Sequence, residues 1–147
     1  AGVPWFSCLF GRDSIITALQ VLSIRPQVAR ETLTVLARLQ ATEIDDWRDA
    51  QPGKILHELR SGELALAGEI PQTPYYGSVD STSLWLILLG EYERWTADQE
   101  LVDRLWPNAL AGAHSCCPAP NWRCLIPPSP NSGEATALGA TPSATKC

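Results

Sequence analysis

The sequence has few of the features that mark a membrane or nucleic-acid-binding protein. It contains no methionine and only two histidines and two phenylalanines in 147 residues. The longest apolar run, Leu84–Leu89, has six residues, whereas a membrane-spanning helix needs about 20. Basic residues number 11 against 16 acidic ones, for a net charge of −5. We therefore expect no membrane span, and no nucleic-acid partner, because binding phosphates requires a basic surface.

Cysteine is scarce in the body of the chain. Cys8 stands alone, and the other four cysteines fall in the last 32 residues. An odd number with an adjacent pair is a poor disulfide framework, so we expect a reduced, cytoplasmic protein. The set formed by His114, Cys116, Cys117 and Cys124 has the residue types of a zinc site. Adjacent thiols lack the spacing that structural zinc sites use, and we predict no metal and no cofactor.

The chain divides into two regions of different character. Residues 1–112 carry helical periodicity, whereas residues 113–147 hold six of the twelve prolines and only three charged residues. A segment of that composition forms neither helix nor sheet easily. We expect an irregular, disordered or non-native tail after residue 112. The missing methionine and the apolar, aromatic start favour a fragment of a longer protein.

The spacing of apolar residues predicts an all-α fold with two helical hairpins. Asp13 and Ser14 offer capping chemistry for a first helix, and Pro26 suits the first turn of a second. Ser78, Asp80 or Ser81 would cap a third helix. A fourth is predicted from Asp98 to Ala111. The polar stretch Ala41–Pro74 is predicted to be a long, mostly irregular loop with an extended segment at Lys54–Leu59, and loops of that length are usually functional.

The same spacing predicts which helix faces are buried. In the second helix the predicted stripe is Val28, Thr32, Val35, Leu36 and Leu39. In the third it is Leu84, Trp85, Leu88, Leu89, Tyr92 and Trp95. Trp85, Trp95 and Trp106 are expected to be core residues.

Three strings of residues, in this order and spacing, resemble a known enzyme family. They are Trp5-Phe6 through Phe10-Gly11-Arg12-Asp13-Ser14, then residues 52–60 (PGKILHELR), then residues 75–82 (YYGSVDST). Together they are similar to the amylo-α-1,6-glucosidase family, the glucosidase part of glycogen-debranching enzymes. The resemblance covers residues 1–111 and implies an (α/α)6 barrel. Two of six hairpins would form only part of that barrel and would leave large apolar patches exposed.

The resemblance implies a place for the catalytic acid. Glycoside hydrolysis needs one carboxylic acid to protonate the leaving oxygen and a second carboxylate to activate water or attack. Asp80, at the start of an inner helix, is the candidate acid. A helix N-terminus favours the ionised form, which opposes that role. The alternative is that Asp80 only caps the helix.

Further residues are candidates for substrate binding. Arg12 and Asp13 could clamp the hydroxyls of a terminal glucose, or they could form a cap and a structural ion pair. Lys54, His57, Glu58 and Arg60 form a polar group in the long loop that either contacts sugar or faces solvent. The aromatic residues Trp5 and Tyr76, with Phe6 and Tyr75, either stack on sugar rings or pack in the core.

The complete domain implied by the resemblance hydrolyses terminal α-1,6-linked glucose in glycogen-like α-glucans, with inversion. Its second carboxylate would lie beyond the part that is present. The predicted partner is an α-glucan oligosaccharide or glycogen, and we expect the fragment to be inactive without the remainder of the barrel. The alternatives are a non-catalytic carbohydrate-binding piece and a helical protein–protein interaction module.

Overall fold

The computed structural model describes residues 7–116, and this part of the chain is mostly helical. The helices are α1 Gly11–Val21, α2 Pro26–Arg38, α3 Glu63–Leu66, α4 Ser81–Thr96 and α5 Gln99–Cys116. A 3-10 turn covers Asp46–Arg48, and two short strands, β1 Leu9–Phe10 and β2 Glu58–Leu59, pair antiparallel. The order helix, turn, helix, long loop, helix, turn, helix agrees with the prediction. The one-turn helix α3 is additional.

The first hairpin consists of α1 and α2. Helix α1 begins before the predicted caps, since Asp13 and Ser14 lie inside its first turn and the Ser14 hydroxyl donates to the Phe10 carbonyl at 2.6 Å. Helix α2 begins at Pro26, as predicted. Proline is tolerated there because a first-turn residue has no intrahelical N–H partner to lose.

The predicted buried stripe of α2 was right in part: Leu36 is buried, and Val28 and Leu39 pack against the core. Val35, however, is exposed, and the other buried residues of α2 are Ala29, Leu33 and Ala37. The centre of the buried face is therefore rotated relative to the predicted stripe. Alanines lie on the buried face and allow α2 to pack closely against its neighbours.

The second hairpin consists of α4 and α5. Trp85, Leu88, Leu89 and Tyr92 are buried as predicted, but Trp95 is 62% exposed near the end of α4, which corrects its assignment to the core. The Asp98 carboxylate accepts the Leu101 N–H at 3.2 Å and so caps α5. Helix α5 continues to Cys116 with Ala113 buried, so the predicted boundary at residue 112 falls inside a helix.

The two hairpins pack side by side in the same orientation. Arg30, early in α2, pairs with Asp98 at the start of α5 with an N–O distance of 3.0 Å. Gln40, just after α2, and Asn108 of α5 are joined by a hydrogen bond of 2.7 Å. Helices α2 and α5 therefore run parallel, and so do α1 and α4, which precede and pack against them.

The long loop between α2 and α4 covers the end of the molecule where α1 and α4 begin. Ile55 and Leu56 from this loop are fully buried in the core. The Ile55 N–H donates to the Thr82 hydroxyl at 3.0 Å, which fixes the loop to the first turn of α4. Only Glu58 and Leu59 of the predicted extended segment Lys54–Leu59 form a strand.

Candidate functional site

The first and third sequence motifs meet where α1 and α4 begin. Arg12 Nη1 donates to Asp80 Oδ2 at 3.5 Å, and Arg12 Nε lies 3.7 Å from Asp13 Oδ1. All three side chains are 44–47% exposed. A guanidinium with several donors between two carboxylates is suited to binding neighbouring hydroxyl groups. The structure thus brings together three of the predicted site residues on an open surface.

Asp80 is held in its ionised form by its neighbours. The Ser78 hydroxyl donates to Asp80 Oδ1 at 2.7 Å, and this bond, helped by the charge of Arg12, lowers the pKa of the carboxyl below its usual value. A general acid must keep its proton near neutral pH. In this arrangement Asp80 therefore acts as a hydrogen-bond acceptor.

Asp80 is not a capping residue in the usual sense either. It occupies the position before α4, but its side chain makes no capping hydrogen bond. Instead the Ser81 N–H donates to the Ser78 hydroxyl at 3.3 Å. Because Ser78 takes the capping role, both Asp80 carboxylate oxygens point to other partners, Ser78 and Arg12.

The second motif lies against the first through a close backbone approach. The Gly11 N–H donates to the His57 carbonyl at 2.9 Å, and Phe10 pairs with Glu58 in the two-stranded sheet. A Cβ at position 11 would collide with the Leu56 carbonyl oxygen. Glycine is thus required beside Arg12 because the loop backbone crosses α1 at this point.

Glu58 and Arg60 form an ion pair that is buried on the Glu58 side. Arg60 Nε donates to Glu58 Oε1 at 2.7 Å, with the Glu58 side chain 7% exposed. The Cys8 thiol donates to the same oxygen at 3.4 Å. Burial, and then this bond to Glu58, raises the pKa of Cys8. Glu58 is therefore buried and engaged by Arg60 and Cys8, whereas Arg12, Asp13 and Asp80 are open to solvent.

Lys54 and Tyr75 both contact Asp49. The Tyr75 hydroxyl donates to Asp49 Oδ2 at 2.6 Å, and Lys54 Nζ donates to the Asp49 carbonyl at 2.9 Å. The His57 ring packs edge-on against the Tyr75 ring at 6.2 Å between centroids, and its buried Nδ1 has no hydrogen-bond partner among residues 7–116. These residues form a second polar group in the long loop.

Of the aromatic candidates, Tyr76 lies in the core. It is 6% exposed, and its hydroxyl donates to the Leu39 carbonyl at 2.8 Å. This burial favours core packing, the alternative to sugar stacking for this ring. Trp5 lies outside the described residues.

Sequence reasoning passed over Trp47 and Asp49. Trp47 is exposed, and Asp49 holds the Tyr75 hydroxyl. The signal that could have found them is a tryptophan in a polar loop between aspartates, since an indole without a hydrophobic neighbour in sequence is a poor core residue.

No protein-family model matches this chain, and no curated protein sequence matches it. Among residues 7–116, no three or more His, Cys, Asp or Glu side chains are grouped so that they could hold a metal ion. Cys117 and Cys124 of the zinc-like set lie outside this range. In the same part of the chain, no helix has the length and apolar character needed to cross a membrane.

Proposed function

We propose that this chain is part of an (α/α)6 glucosidase domain of the amylo-α-1,6-glucosidase type, and that it contributes one wall of a pocket for α-glucan. The observation that carries the proposal is the contact between Arg12 and Asp80. It joins two motifs of the resemblance that are far apart in sequence. Both side chains are open to solvent at the loop-covered end of the helices, where such barrels bind sugar.

The packing of the hairpins supports this architecture. In an (α/α)6 barrel the inner helices run parallel to one another, as do the outer ones. Helices α1 and α4 would be neighbouring inner helices, and α2 and α5 the outer helices behind them. On the two inner helices, Ile16 and Ile87 are exposed. Further hairpins of the barrel would cover such side chains.

In the complete domain we propose Asp80 as the general acid and Arg12 with Asp13 as the clamp for a terminal glucose. For Asp80 to be protonated, its bonds to Ser78 and Arg12 must weaken, because they favour the ionised form. A sugar that drew Arg12 towards its own hydroxyls and excluded water would act in that direction. We propose that the fragment alone binds glucan without cleaving it.

The ionised Asp80 also favours the second candidate function, a non-catalytic carbohydrate-binding piece. Glu58 is a carboxylate in a neighbouring motif, but it is buried against Arg60. The described residues therefore supply a binding surface more readily than a catalytic pair. Both functions predict sugar binding without cleavage by the fragment. Glucose release by the chain supplied with the remainder of the barrel separates them, because only the first function predicts it.

The test is a titration of the full chain with isomaltose, in which binding is detected by saturation-transfer NMR of the sugar. We expect binding by the unchanged chain and at least about a tenfold loss with Arg12→Gln. Arg30→Gln is the matched control, because Arg30 also joins the two hairpins through an exposed ion pair, but at the other end. Equal affinity of the Arg12 and Arg30 variants, or no binding by the unchanged chain, would refute the proposal.

A further inference from the structure

The indole of Trp47 is presented to solvent in a way that the core does not explain. Trp47 is 61% exposed, whereas Trp85 is fully buried and donates its indole N–H to the Leu33 carbonyl at 3.3 Å. Large exposed aromatic faces are enriched where proteins bind partners or ligands. Core packing therefore does not account for the position of the Trp47 side chain.

The loop that carries Trp47 is fixed by its own hydrogen bonds. Asp45 Oδ1 accepts the N–H groups of Trp47 and Arg48 at 2.9 and 3.3 Å, and Arg48 Nε donates to Asp45 Oδ2 at 2.6 Å. Asp45 and Ala50 exchange two backbone hydrogen bonds of 3.1 and 2.9 Å, which close the loop. Since the backbone is already ordered, a ligand on the indole would cost little conformational entropy.

Polar groups suited to sugar hydroxyls gather at Asp49, which directly follows the turn that carries Trp47. Asp49 has a positive φ of 52°, a conformation that is uncommon outside glycine. Its exposed carboxylate accepts a hydrogen bond of 2.6 Å from the Tyr75 hydroxyl. Lys54 Nζ donates to the Asp49 carbonyl and brings a positive charge to this group. A flat apolar face beside a carboxylate, a phenol and an ammonium group is chemically suited to a pyranose ring, whose two faces carry C–H groups and whose edge carries hydroxyls.

This group lies on the same end of the molecule as Arg12 and Asp80. The Tyr76 N–H donates to the Arg48 carbonyl at 2.8 Å, which ties the Trp47 loop to the segment leading into α4. The His57 ring lies edge-on between Phe10, which precedes α1, and Tyr75. The Trp47 group and the Arg12–Asp80 surface therefore lie at the same loop-covered end, where one oligosaccharide would meet both.

We propose that Trp47, Asp49 and Tyr75 form a second sugar subsite, which binds a glucosyl unit further along an α-glucan than the unit held at Arg12. The subsite rests on the proposed function, because it assumes that the chain binds α-glucan. The subsite predicts in addition that affinity increases with the number of glucosyl units in the glucan, and that this increase depends on the indole of Trp47.

The experiment compares isomaltose with isomaltotetraose on the full chain, with Trp47→Ala and Trp47→Phe against the control Trp95→Ala. Trp95 matches Trp47 in exposure, at 62% against 61%, but lies near the end of α4, by the turn into α5. We expect the tetrasaccharide to bind the unchanged chain about tenfold more tightly than the disaccharide. Trp47→Ala should abolish this gain, Trp47→Phe should keep part of it, and Trp95→Ala should keep all of it.

The outcomes separate the subsite from the terminal clamp. If the Trp47→Ala chain keeps the full gain with length, or the unchanged chain shows none, the subsite is refuted while isomaltose binding through Arg12 still stands. If Trp47→Ala removes the gain but Arg12→Gln leaves isomaltose binding unchanged, the subsite stands and the clamp is refuted. Absence of binding to either sugar overturns both.

Discussion

Arg12 and Asp80 face each other across the first turns of α1 and α4, and they are 68 positions apart. The same separation of 68 recurs between Arg30 and Asp98 and between Gln40 and Asn108. Each of these contacts joins one hairpin to the next. The second hairpin thus repeats the placement of the first, as expected of an array of helical hairpins packed in one orientation.

We predict that the contact between Gln40 and Asn108 carries much of the stability between the hairpins. Gln40 Nε2 donates to the Gly53 and Asn108 carbonyls at 2.9 and 3.0 Å, and Asn108 Nδ2 donates to the Ala37 carbonyl at 3.2 Å and to Gln40 Oε1 at 2.7 Å. All are partly buried. Gln40→Ala should lower the free energy of unfolding by about 1–3 kcal/mol, because it leaves these groups without partners.

Urea denaturation of Gln40→Ala, Asn108→Ala and the double variant measures the coupling directly. Arg30→Gln serves as the control, since its ion pair is partly exposed and should contribute no more than about 1 kcal/mol. Additive losses from the two amide substitutions would contradict the prediction.

The two hairpins were predictable because helical periodicity is a local property of sequence. Pro26 at the start of α2 and the buried Trp85 of α4 follow from such local rules. The rotation of the α2 stripe was not predictable, because Ala29 and Ala37 are buried only through the close approach of other helices. Trp95 was wrongly assigned to the core because it continues the apolar spacing of α4. It lies in the last turn of the helix, where it is largely exposed.

The arrangement of the candidate site residues could not be predicted from the sequence. Which loop residues face inward depends on contacts over long sequence distances. Ile55 and Leu56 are core residues in a loop that Thr82 fixes to α4. Glu58, two residues further on, is buried against Cys8 and Arg60, which local sequence rules do not indicate.

We predict that the hydrogen bond from Ser78 controls the ionisation of Asp80. It is the largest single cause of the lowered pKa, and Arg12 adds two smaller ones, its charge and its hydrogen bond. Ser78→Ala should therefore raise the pKa of Asp80 towards its ordinary value, and Arg12→Gln should raise it as well. Carbon-detected NMR titration of the side-chain carboxyl measures both shifts.

The sign of the linked stability follows from the same shift. A carboxyl whose pKa is lower in the folded state stabilises that state above its unfolded pKa, and the stabilisation is lost as pH falls through the folded value. Ser78→Ala should thus lose stability at neutral pH and lose less on acidification than the unchanged chain. An Asp80 pKa that Ser78→Ala leaves in place would show that another group sets it.

We predict that replacing the two tryptophans of α4 by phenylalanine has unequal effects on stability. Trp85 is fully buried and donates its indole N–H to the Leu33 carbonyl, whereas Trp95 is largely exposed. Trp85→Phe should destabilise the chain by about 1–3 kcal/mol, because the indole hydrogen bond is lost and the smaller ring leaves a cavity in the core. Trp95→Phe should change stability by no more than about 0.5 kcal/mol. Thermal unfolding followed by circular dichroism distinguishes them, and equal melting temperatures would rule out the packing described for Trp85.

Two helical glycines, Gly11 and Gly90, have opposite surroundings. Gly11 begins α1 where a Cβ would collide with the Leu56 carbonyl oxygen, and this obstacle is backbone, which cannot move aside as a flexible side chain can. Gly11→Ala should therefore separate the loop from α1 and weaken both folding and sugar binding. Gly90, in the middle of α4, has open space around it. Gly90→Ala should raise the free energy of unfolding by about 1 kcal/mol, since alanine has the higher helix propensity. Chemical denaturation of the two variants measures both changes in stability. If Gly11→Ala is as stable as the unchanged chain, the loop does not cross α1 at Gly11. The backbone contact between Gly11 and His57 then does not join the loop to the Arg12 surface.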